Sequence, residues 1–553
     1  MSRPRLGIGV ALVVVCLCLV AGVASGAVTG SDSTDAADAA AANATLVSAY
    51  PNQVARGNPG EFVAVRFSEP TDAAGWTITD GKTTAGLPNG TFEGAHAFAV
   101  NPETAAEHTD HPVAEFDGHL SLADGGETLE LRVDGRTVDT ARYRNAPESE
   151  IRDFETGTWR PVGATDIPVT HTDGGVAEAF VLPDADSIVV ETLERAEERI
   201  LLGGYTLTSV DVTDALIDAD ARGVEVRVLL DGAPVGGIDR RGAAQLDRLA
   251  EAGVEPRLLS GDHSRYRHHH PKYAVVDDRV LVTTENFKPA GTGGMSSRGW
   301  GVVLSDVAAT EAFSEIHRAD WTWKAATAWQ NYRVGRDFAA SDPALGSFET
   351  RHPPQRIDVE STTVLAAPDN AADALSERLA AAEERILVQQ VDIDSRDNRL
   401  LSAVLDAARR GVEVRIHLAD AWYVEDENEA LVDWLNRQSE AEGLDLEARI
   451  DDPDGYEKIH TKGVIVDDTV VLGSLNWGRT AKTDNREVLV AMTGSEIADY
   501  YVDVFRSDYE AGADRPMTAG LLAAVAVSLS GVVLLARRIE FRGRDEVITD
   551  WEW

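Results

Sequence analysis

The stretch EKIHTKGVIVDDTVVLGSLNWG, residues 457–478, places His460 and Lys462 two residues apart at the start of an apolar run. Alternate side chains of a β-strand point to the same face, so the imidazole and the ammonium group are expected to face one target. Asn476 follows at the far end of the run. Acid–base or covalent chemistry at such an edge requires a second reactive group, which this stretch alone does not supply.

A repeat of the surrounding sequence predicts a duplicated α/β domain. LERAEERILLGGYTL (193–207) matches LAAAEERILVQQVDI (379–393), and ALIDADARGVEVRVLLDG (215–232) matches AVLDAARRGVEVRIHLAD (403–420). The first pair has the pattern of a helix end followed by a buried strand, and the second that of an amphipathic helix, a glycine turn and a strand. This alternation predicts βα units with a largely parallel sheet.

The same repeat locates the second half of the site. The stretch HHHPKYAVVDDRVLVTTENF, residues 268–287, carries a second H-x-K-x4-D motif at the equivalent place. The matched positions are His270 with His460, Lys272 with Lys462, Asp277 with Asp467, and Asn286 with Asn476. Because two copies occupy equivalent places in a duplicated domain, chance is a poor explanation for the motif.

These residue types suit acid–base or covalent chemistry on an anion. Two imidazoles can divide the roles of nucleophile and proton donor, because histidine titrates at about pH 6.5. Lys272 and Lys462 would supply positive charge to an anionic substrate, and Asn286 and Asn476 would add amide donors.

The remaining motif residues are predicted to support the site. Asp277 and Asp467 lie an odd number of residues after their histidines, which turns them to the opposite face of a strand. We therefore expect both carboxylates to have structural roles at strand ends. Thr284 takes the place of Ser474 in the first copy, and its hydroxyl can form the same hydrogen bonds.

Two H-x-K-x4-D motifs in a duplicated α/β domain resemble the phospholipase D superfamily, over roughly residues 155–512. The resemblance implies two phospholipase D-like α/β sandwich domains, at 155–345 and 346–512. It also implies a phosphohistidine on one motif histidine, with the other histidine protonating the leaving alcohol and then activating water or an acceptor alcohol. By the family's usual order, His270 is the nucleophile and His460 the general acid and base. No metal or other cofactor is implied, and no oligomer is required because one chain carries both half-sites.

The two halves are expected to be unequal. Glu487, in DNREVLV, matches the position from which a glutamate orients a catalytic histidine in that family. The equivalent stretch of the first copy, SSRGWGVV (296–303), contains no carboxylate. His263, His268 and His269 precede the first motif, and we interpret them as exposed imidazoles at the rim of the site rather than as metal ligands.

The N-terminal half of the chain has a different pattern. Residues 28–44 are an acidic, alanine-rich tract predicted to be a flexible linker. Residues 45–147 alternate short apolar runs with turn residues, which predicts an all-β immunoglobulin-like sandwich. The segments YPNQ, GEFVAV, GWTITDG, LSLADGGETLEL and VDTARY resemble, in order, the lamin-tail domain. We expect Trp76 in this module to lie in the core.

Both ends of the chain predict contact with a membrane. Residues 1–27 have the layout of a signal peptide or an N-terminal anchor, with two arginines before an apolar stretch. Residues 517–536 form an uncharged apolar segment of 20 residues, long enough for one transmembrane helix. The arginines of residues 537–553 predict a cytoplasmic tail. The sequence therefore predicts a single-pass protein of the cell membrane with an extracellular catalytic domain.

The composition is acidic. The formal net charge is −42, and only seven of the 51 basic residues are lysine. Such a composition is typical of proteins from concentrated salt, where the Debye length at 1 M is only about 3 Å. The net charge therefore would not exclude an anionic substrate. Both cysteines, Cys16 and Cys18, lie in the N-terminal apolar stretch, so no disulfide is expected in the folded part.

Three functions fit the sequence. The first is a membrane-anchored extracytoplasmic phosphodiesterase that cleaves or transfers phospholipid head groups. The second is an extracellular nuclease of the same superfamily, for which the Arg and Trp residues of 298–333 would form a basic groove with stacking aromatic rings. The third is a non-catalytic adhesion or binding protein with a degenerate first copy. Hydrolysis and transfer are not distinguished by these motifs.

Overall fold

A computed structural model describes residues 43–53, 59–261 and 264–511. The predicted signal segment 1–27, the transmembrane segment 517–536, the tail 537–553 and almost all of the linker 28–44 lie outside these ranges. Within the described ranges, no helix is long and apolar enough to cross a membrane.

The N-terminal module is a β-sandwich of one six-stranded and one four-stranded sheet, with strand orders β10-β9-β1-β2-β5-β6 and β4-β3-β7-β8. Its elements are β1 (Ala44–Tyr50), β2 (Phe62–Asp72), β3 (Trp76–Thr79), β4 (Thr84–Gly86), β5 (Thr91–Ala99), α1 (Pro102–Ala105), β6 (Val113–Glu115), β7 (Gly126–Val133), β8 (Arg136–Arg144), β9 (Glu150–Asp153) and β10 (Trp159–Pro161). Trp76 is 3% exposed and packs edge-on against Phe67 in the core. Strands β9 and β10 extend the sandwich past residue 147, where the sequence pattern of short alternating runs ends.

Two α/β repeats follow the sandwich. The elements of the first are β11 (Thr170–Asp173), β12 (Val176–Leu182), α2 (Ile188–Glu194), β13 (Arg199–Gly204), α3 (Val210–Ala221), β14 (Glu225–Asp231), α4 (Arg240–Ala252), β15 (Pro256–Leu259), β16 (Lys272–Val276), β17 (Arg279–Thr283), β18 (Ser297–Ser305), α5 (Val307–Trp321), β19 (Ala326–Ala328) and α6 (Trp329–Tyr332). Those of the second are β20 (Gln355–Asp358), β21 (Ser361–Ala367), α7 (Ala371–Ala380), β22 (Arg385–Gln390), α8 (Arg399–Arg409), β23 (Glu413–Leu418), α9 (Glu425–Glu442), β24 (Leu446–Ile450), β25 (Lys458–Ile459), β26 (Lys462–Val466), β27 (Thr469–Gly473), α10 (Arg479–Thr483), β28 (Glu487–Thr493) and α11 (Ser495–Glu510).

The two repeats have the same sheet order. The first contains β15-β14-β13-β16-β17-β18-β12, and the second contains β24-β23-β22-β26-β27-β28-β21. Each sheet also contains one edge strand from the other repeat. β20 of the second repeat pairs with β12 of the first, and β11 of the first repeat pairs with β21 of the second. The strand exchange shows that the boundary at residues 345/346 separates sequence repeats but does not separate the two sheets.

The prediction of largely parallel sheets was wrong. Within each described sheet, the parallel pairs are limited to β13, β14 and β15 in the first repeat and to β22, β23 and β24 in the second. A short parallel pair, β18 with β25, also joins the two repeats. The strand that begins with the motif lysine returns antiparallel through a two-residue Asp-Asp turn, whose first residues Asp277 and Asp467 have φ of 53° and 51°. Aspartate tolerates this left-handed conformation, and such turns join antiparallel strands.

The helices begin and end where the sequence provides caps. Before α4, the side chain of Asp239 accepts a hydrogen bond from the Gly242 N–H at 2.7 Å, and Gly253 ends the helix with φ of 109°. Before α8, the side chain of Asn398 accepts from the Leu400 N–H at 2.9 Å. Asp239 and Asn398 therefore fix where α4 and α8 begin, and Gly253 fixes where α4 ends.

A shared apolar core joins the two repeats. It contains Tyr273 and Trp300 of the first sheet, Ile465 of the second, and residues of α5 and α11 such as Phe313 and Tyr501. The sheets approach closely, because a Cβ added at Gly463 would lie 2.4 Å from the ring of Trp300. Separate cores bury the helices on the outer face of each sheet. This packing fixes the two motif strands relative to each other.

Candidate active site

The two motif histidines are positioned by strands of the opposite repeat. The backbone N–H of His270 donates to the carbonyl of Arg486 at 3.0 Å, just before β28. The N–H of His460 donates to the carbonyl of Arg298 at 2.9 Å, on β18. Each motif histidine is therefore bonded to the other repeat, at β28 or β18, before its lysine begins a strand of its own sheet. This crossing brings the two motifs into one site.

Buried arginines hold this crossing in place. Arg298 donates to Asp184 at 2.6 Å and pairs with Asp508 at 3.0 Å, and its guanidinium is fully buried. Arg486 occupies the equivalent place in the second repeat and pairs with Asp320 at 3.0 Å and Asp369 at 2.7 Å. Removing one partner of such a pair leaves an uncompensated buried charge, at a cost of about 3–5 kcal/mol.

Each imidazole is held by a carboxylate from the other repeat. Nδ1 of His270 lies 2.9 Å from both carboxylate oxygens of Glu487. Nδ1 of His460 lies 3.1 Å from Oε1 of Glu285. A carboxylate accepts the Nδ1 proton, so Nε2 retains its lone pair for chemistry. The histidine that Glu487 contacts therefore belongs to the other repeat.

The first repeat also supplies a carboxylate, although the stretch SSRGWGVV (296–303) contains none. Glu285 supplies it from the end of β17, one residue before Asn286. The position equivalent to Glu487 is Gly299, and a Cβ added there would lie 2.4 Å from Cγ of Glu285. The Glu285 side chain therefore fills the space that a side chain at 299 would need. In the aligned stretches SSRGWGVV and DNREVLV, Gly299 stands opposite Glu487. Glu285 stands opposite Leu475, and this charged residue in place of an apolar one was the sequence signal for the carboxylate of the first repeat.

Both motif lysines are buried at the centre of the site. Lys272 is 0% exposed and Lys462 is 2% exposed. Each Nζ donates to the carbonyl of its own motif histidine at 2.6 Å. Burial lowers the pKa of Lys462 to about 8, although the charges of Glu285 and Glu487 oppose that shift. The two ammonium groups provide concentrated positive charge where an anion would bind.

Burial and the lysines also shift the pKa values of the acids and bases. Burial, together with Lys272 and Lys462, lowers the pKa of His270 well below its ordinary value. Burial lowers the pKa of His460 to about 4, against the effect of Glu285. Burial raises the pKa of Glu487 to about 8, against the effect of Lys272. A bound anion between the imidazoles would favour their protonated forms.

The asparagines and hydroxyl residues are equivalent in the two halves. Among the described residues, the side-chain Oδ1 atoms of Asn286 and Asn476 are buried without a hydrogen-bond partner. The N–H of Trp300 donates to the Thr284 hydroxyl, and the N–H of Val488 donates to the Ser474 hydroxyl, each at 3.0 Å. Thr284 thus makes the same contact as Ser474, and the carboxamide oxygens of the two asparagines are equivalent in lacking a partner among the described residues.

The motif aspartates lie at strand ends. The Asp277 carboxylate accepts the backbone N–H groups of residues 197, 198 and 199 at 2.8–2.9 Å. The Asp467 carboxylate accepts those of residues 383, 384 and 385 at 2.8–3.0 Å. Both carboxylates fasten the motif hairpin to the turn before the neighbouring antiparallel strand, β13 or β22, which is the position expected of a structural residue.

We expect Asp277→Asn to lower the free energy of unfolding by about 1–3 kcal/mol, because an amide cannot accept three N–H groups. The kcat of the folded fraction should stay near that of the parent chain. Chemical denaturation and initial rates measure the two quantities. Asp278→Asn changes the exposed next residue and is the matched control. A large loss of kcat at unchanged stability would contradict a structural role for Asp277.

The place of Tyr205 at the site and the burial of His269 were not anticipated from the sequence. The ring of Tyr205 lies edge-on to His270, with centroids 4.6 Å apart, and 5.4 Å from Nζ of Lys272. His269 is 1% exposed, with Nε2 3.5 Å from Asp320, so its interpretation as an exposed rim residue was wrong. Its position next to the crossing buries it against Asp320. His263 lies outside the described residues.

The duplicated sheet order and the two facing His–Lys–Asn sets define the class: a double-motif α/β protein of the phospholipase D type. The family model "Cardiolipin synthase, PLD-like domain" matches residues 189–321 and 375–509. The chain belongs to the phospholipase D superfamily.

Individual relatives are more distant. Phospholipases D of Rickettsia prowazekii and Rickettsia typhi are each 28% identical over 109 residues, which is 20% of this chain and 49% and 50% of theirs. The chain therefore spans about half the length of the curated relatives it matches. Phosphatidylserine synthase of Haemophilus influenzae is similar over 65% of this chain and 94% of its own, with 12% identity and a TM-score of 0.47.

Proposed function

We propose that the chain is a phosphodiesterase that cleaves or transfers phospholipid head groups. The observation that carries this proposal is the pairing of each motif histidine with a carboxylate from the other repeat, next to two buried lysines. The predicted segments at both ends support an extracytoplasmic enzyme anchored in the membrane. Such an anchor would keep the site close to lipid.

In the first step, the Nε2 lone pair of His270 attacks phosphorus and a P–N bond forms. The bond between phosphorus and the leaving oxygen breaks, and protonated His460 gives its Nε2 proton to that oxygen. In the second step, His460 takes a proton from water or an acceptor alcohol, whose oxygen attacks phosphorus. The P–N bond breaks and its electron pair returns to His270. The lysines stabilise the charge on the non-bridging oxygens throughout.

The aromatic residues suggested for a nucleic-acid groove have packing roles. Trp300 and Trp329 are fully buried. Trp321 lies between Arg227 and Arg257, whose guanidinium carbons are 5.6 and 4.4 Å from its ring centroid. Single-stranded binding needs rings that are free to stack on bases. Trp300, Trp321 and Trp329 therefore do not supply the free rings expected of the groove at residues 298–333. The proposal favours a lipid substrate because the predicted membrane segments would keep the site close to lipid.

The test offers the full chain, in detergent and high salt, a phospholipid or single-stranded DNA, each with and without chelator. We expect release of the lipid head group that chelator does not reduce. Cleavage of DNA alone would establish the nuclease function instead. Cleavage of neither substrate would support the non-catalytic alternative.

The pH dependence of kcat/KM should be bell-shaped with its maximum at about pH 6. Glu487 must be ionised to hold the Nδ1 proton of His270, and burial raises its pKa to about 8, so the active fraction rises as pH approaches that value. His460 must be protonated to give its Nε2 proton, and burial lowers its pKa to about 4, so the active fraction falls as pH rises above that value. Lys462 must be charged, and burial lowers its pKa to about 8, so a further loss follows at higher pH. Initial rates between about pH 4 and about pH 10 measure both limbs. A maximum at about pH 8 would contradict these assignments.

A further inference from the structure

The two halves of the site differ at one equivalent position beside the catalytic asparagines. A parallel bridge joins Ile393 to Trp477 in the second repeat, and an equivalent bridge joins Leu207 to Phe287 in the first. The residue before each bridge therefore lies beside Asn476 or Asn286. That residue is Asp392 in the second repeat and Thr206 in the first. A carboxylate thus replaces a hydroxyl on one side of the site only.

The Asp392 carboxylate has no hydrogen bond or ion pair within the part of the chain that the structure describes. Its side chain is partly buried, and burial raises its pKa, against the effect of nearby Lys462. Lys462 directs its Nζ to the His460 carbonyl instead. Partial burial of a charged group is unfavourable unless a partner compensates it. The position of Asp392 at the site makes a ligand the natural source of that partner.

Aromatic residues lie on the same side. Trp422 and Tyr423 follow the end of β23, with ring centroids 5.6 Å apart, and Trp422 is 88% exposed. The loop that carries them lies beside Asp392, because the side-chain amide of Asn428 donates to the carbonyls of Val391 and Ala419 at 2.8 and 2.9 Å. Burial and the charges of Glu285 and Asp392 raise the pKa of Tyr423. The equivalent residues of the first repeat are Pro234 and Val235, which have no aromatic ring. An aromatic face beside a carboxylate is suited to an ammonium group.

We infer that Asp392, Tyr423 and Trp422 form a subsite for a leaving alcohol that carries an ammonium group. The inference rests on the proposed function, in which His460 protonates the leaving alcohol. The subsite and His460 are adjacent, because Ile459, the residue before His460, packs in one apolar cluster with Ala421 and Val424, which flank the aromatic pair. In an in-line displacement the leaving oxygen lies opposite the attacking His270, and so on the His460 side. The subsite therefore selects the head group that is released.

The test compares phosphatidylethanolamine, whose head group carries an ammonium group, with phosphatidylglycerol of the same acyl chains, whose head group is a neutral polyol. The full chain in detergent should prefer the ethanolamine lipid. Asp392→Asn should lower kcat/KM for that lipid by about 10- to 100-fold, the range for a hydrogen bond to a charged group. It should change kcat/KM for the glycerol lipid by less than about threefold, and thus remove the preference. Asp397→Asn, which removes an exposed charge from the same loop, is the matched control and should retain the preference.

Trp422→Ala provides a second variant that should fold normally, because its side chain is almost fully exposed. It should lower kcat/KM for the ethanolamine lipid alone, by about 3- to 10-fold. Equal losses on both lipids, or no preference in the parent chain, would overturn the subsite and leave the proposed function intact. Turnover of neither lipid by the parent chain would overturn the proposed function and the subsite together.

Discussion

Replacing His270 by asparagine is expected to lower turnover by about 10⁴-fold or more and to abolish covalent labelling of the chain by a lipid with a radioactive phosphate. The reason is that Nε2 of His270 is the attacking atom in the proposed mechanism. Its Nδ1 is occupied by Glu487, at 2.9 Å from both carboxylate oxygens. Asparagine keeps a polar side chain of moderate size but has no nucleophilic ring nitrogen.

His460→Asn is the matched variant, because it removes the same group from the other half of the site. It should slow both steps, yet leave His270 able to form the phosphohistidine with an activated leaving group such as p-nitrophenol. Rapid quenching in base preserves a phosphohistidine and measures the label. Label in the His270 variant but not in the His460 variant would exchange their roles. Full turnover by either variant would contradict the two-histidine mechanism.

The sequence predicted what depends on local spacing. The two-residue separation of His and Lys predicts a shared face within one strand, and the internal repeat relates His270 to His460. The odd spacing to Asp277 predicts a turn away from the site, and its carboxylate does lie at the strand end, on three backbone N–H groups. Each of these inferences concerns neighbours along a strand or its copy.

Contacts between the repeats could not be predicted in this way. Glu487 holds His270 and not His460 because each motif pairs with the other repeat, His270 beside β28 and His460 beside β18. The antiparallel hairpin at Asp277 likewise depends on turn geometry, which an apolar strand pattern does not specify. The burial of His269 follows from the same crossing. These features result from tertiary packing and not from local sequence preference.

Glu285→Gln is expected to lower kcat by about 10³-fold, because a neutral amide no longer stabilises the protonated imidazole or fixes its tautomer. Oε1 of Glu285 lies 3.1 Å from Nδ1 of His460. Glutamine retains the shape and can accept from Nδ1, so the loss would measure the contribution of the charge. Steady-state kinetics at saturating lipid provide the measurement, and unchanged thermal denaturation would show that the fold is intact.

A glutamate at position 299, the place of the carboxylate in the second repeat, should also be able to hold His460. Gly299 is equivalent to Glu487, and the three atoms nearest to a Cβ added there all belong to the Glu285 side chain. Gly299→Glu alone should therefore destabilise the chain, by about 1–3 kcal/mol for overpacking. Glu285→Gly should be stable but slow. Combining Glu285→Gly with Gly299→Glu removes the clash and returns a carboxylate to His460, so kcat should recover at least about 10-fold over Glu285→Gly. If the double variant is folded but no faster than Glu285→Gly, the carboxylate acts only from position 285, and the equivalence of Gly299 and Glu487 does not extend to function.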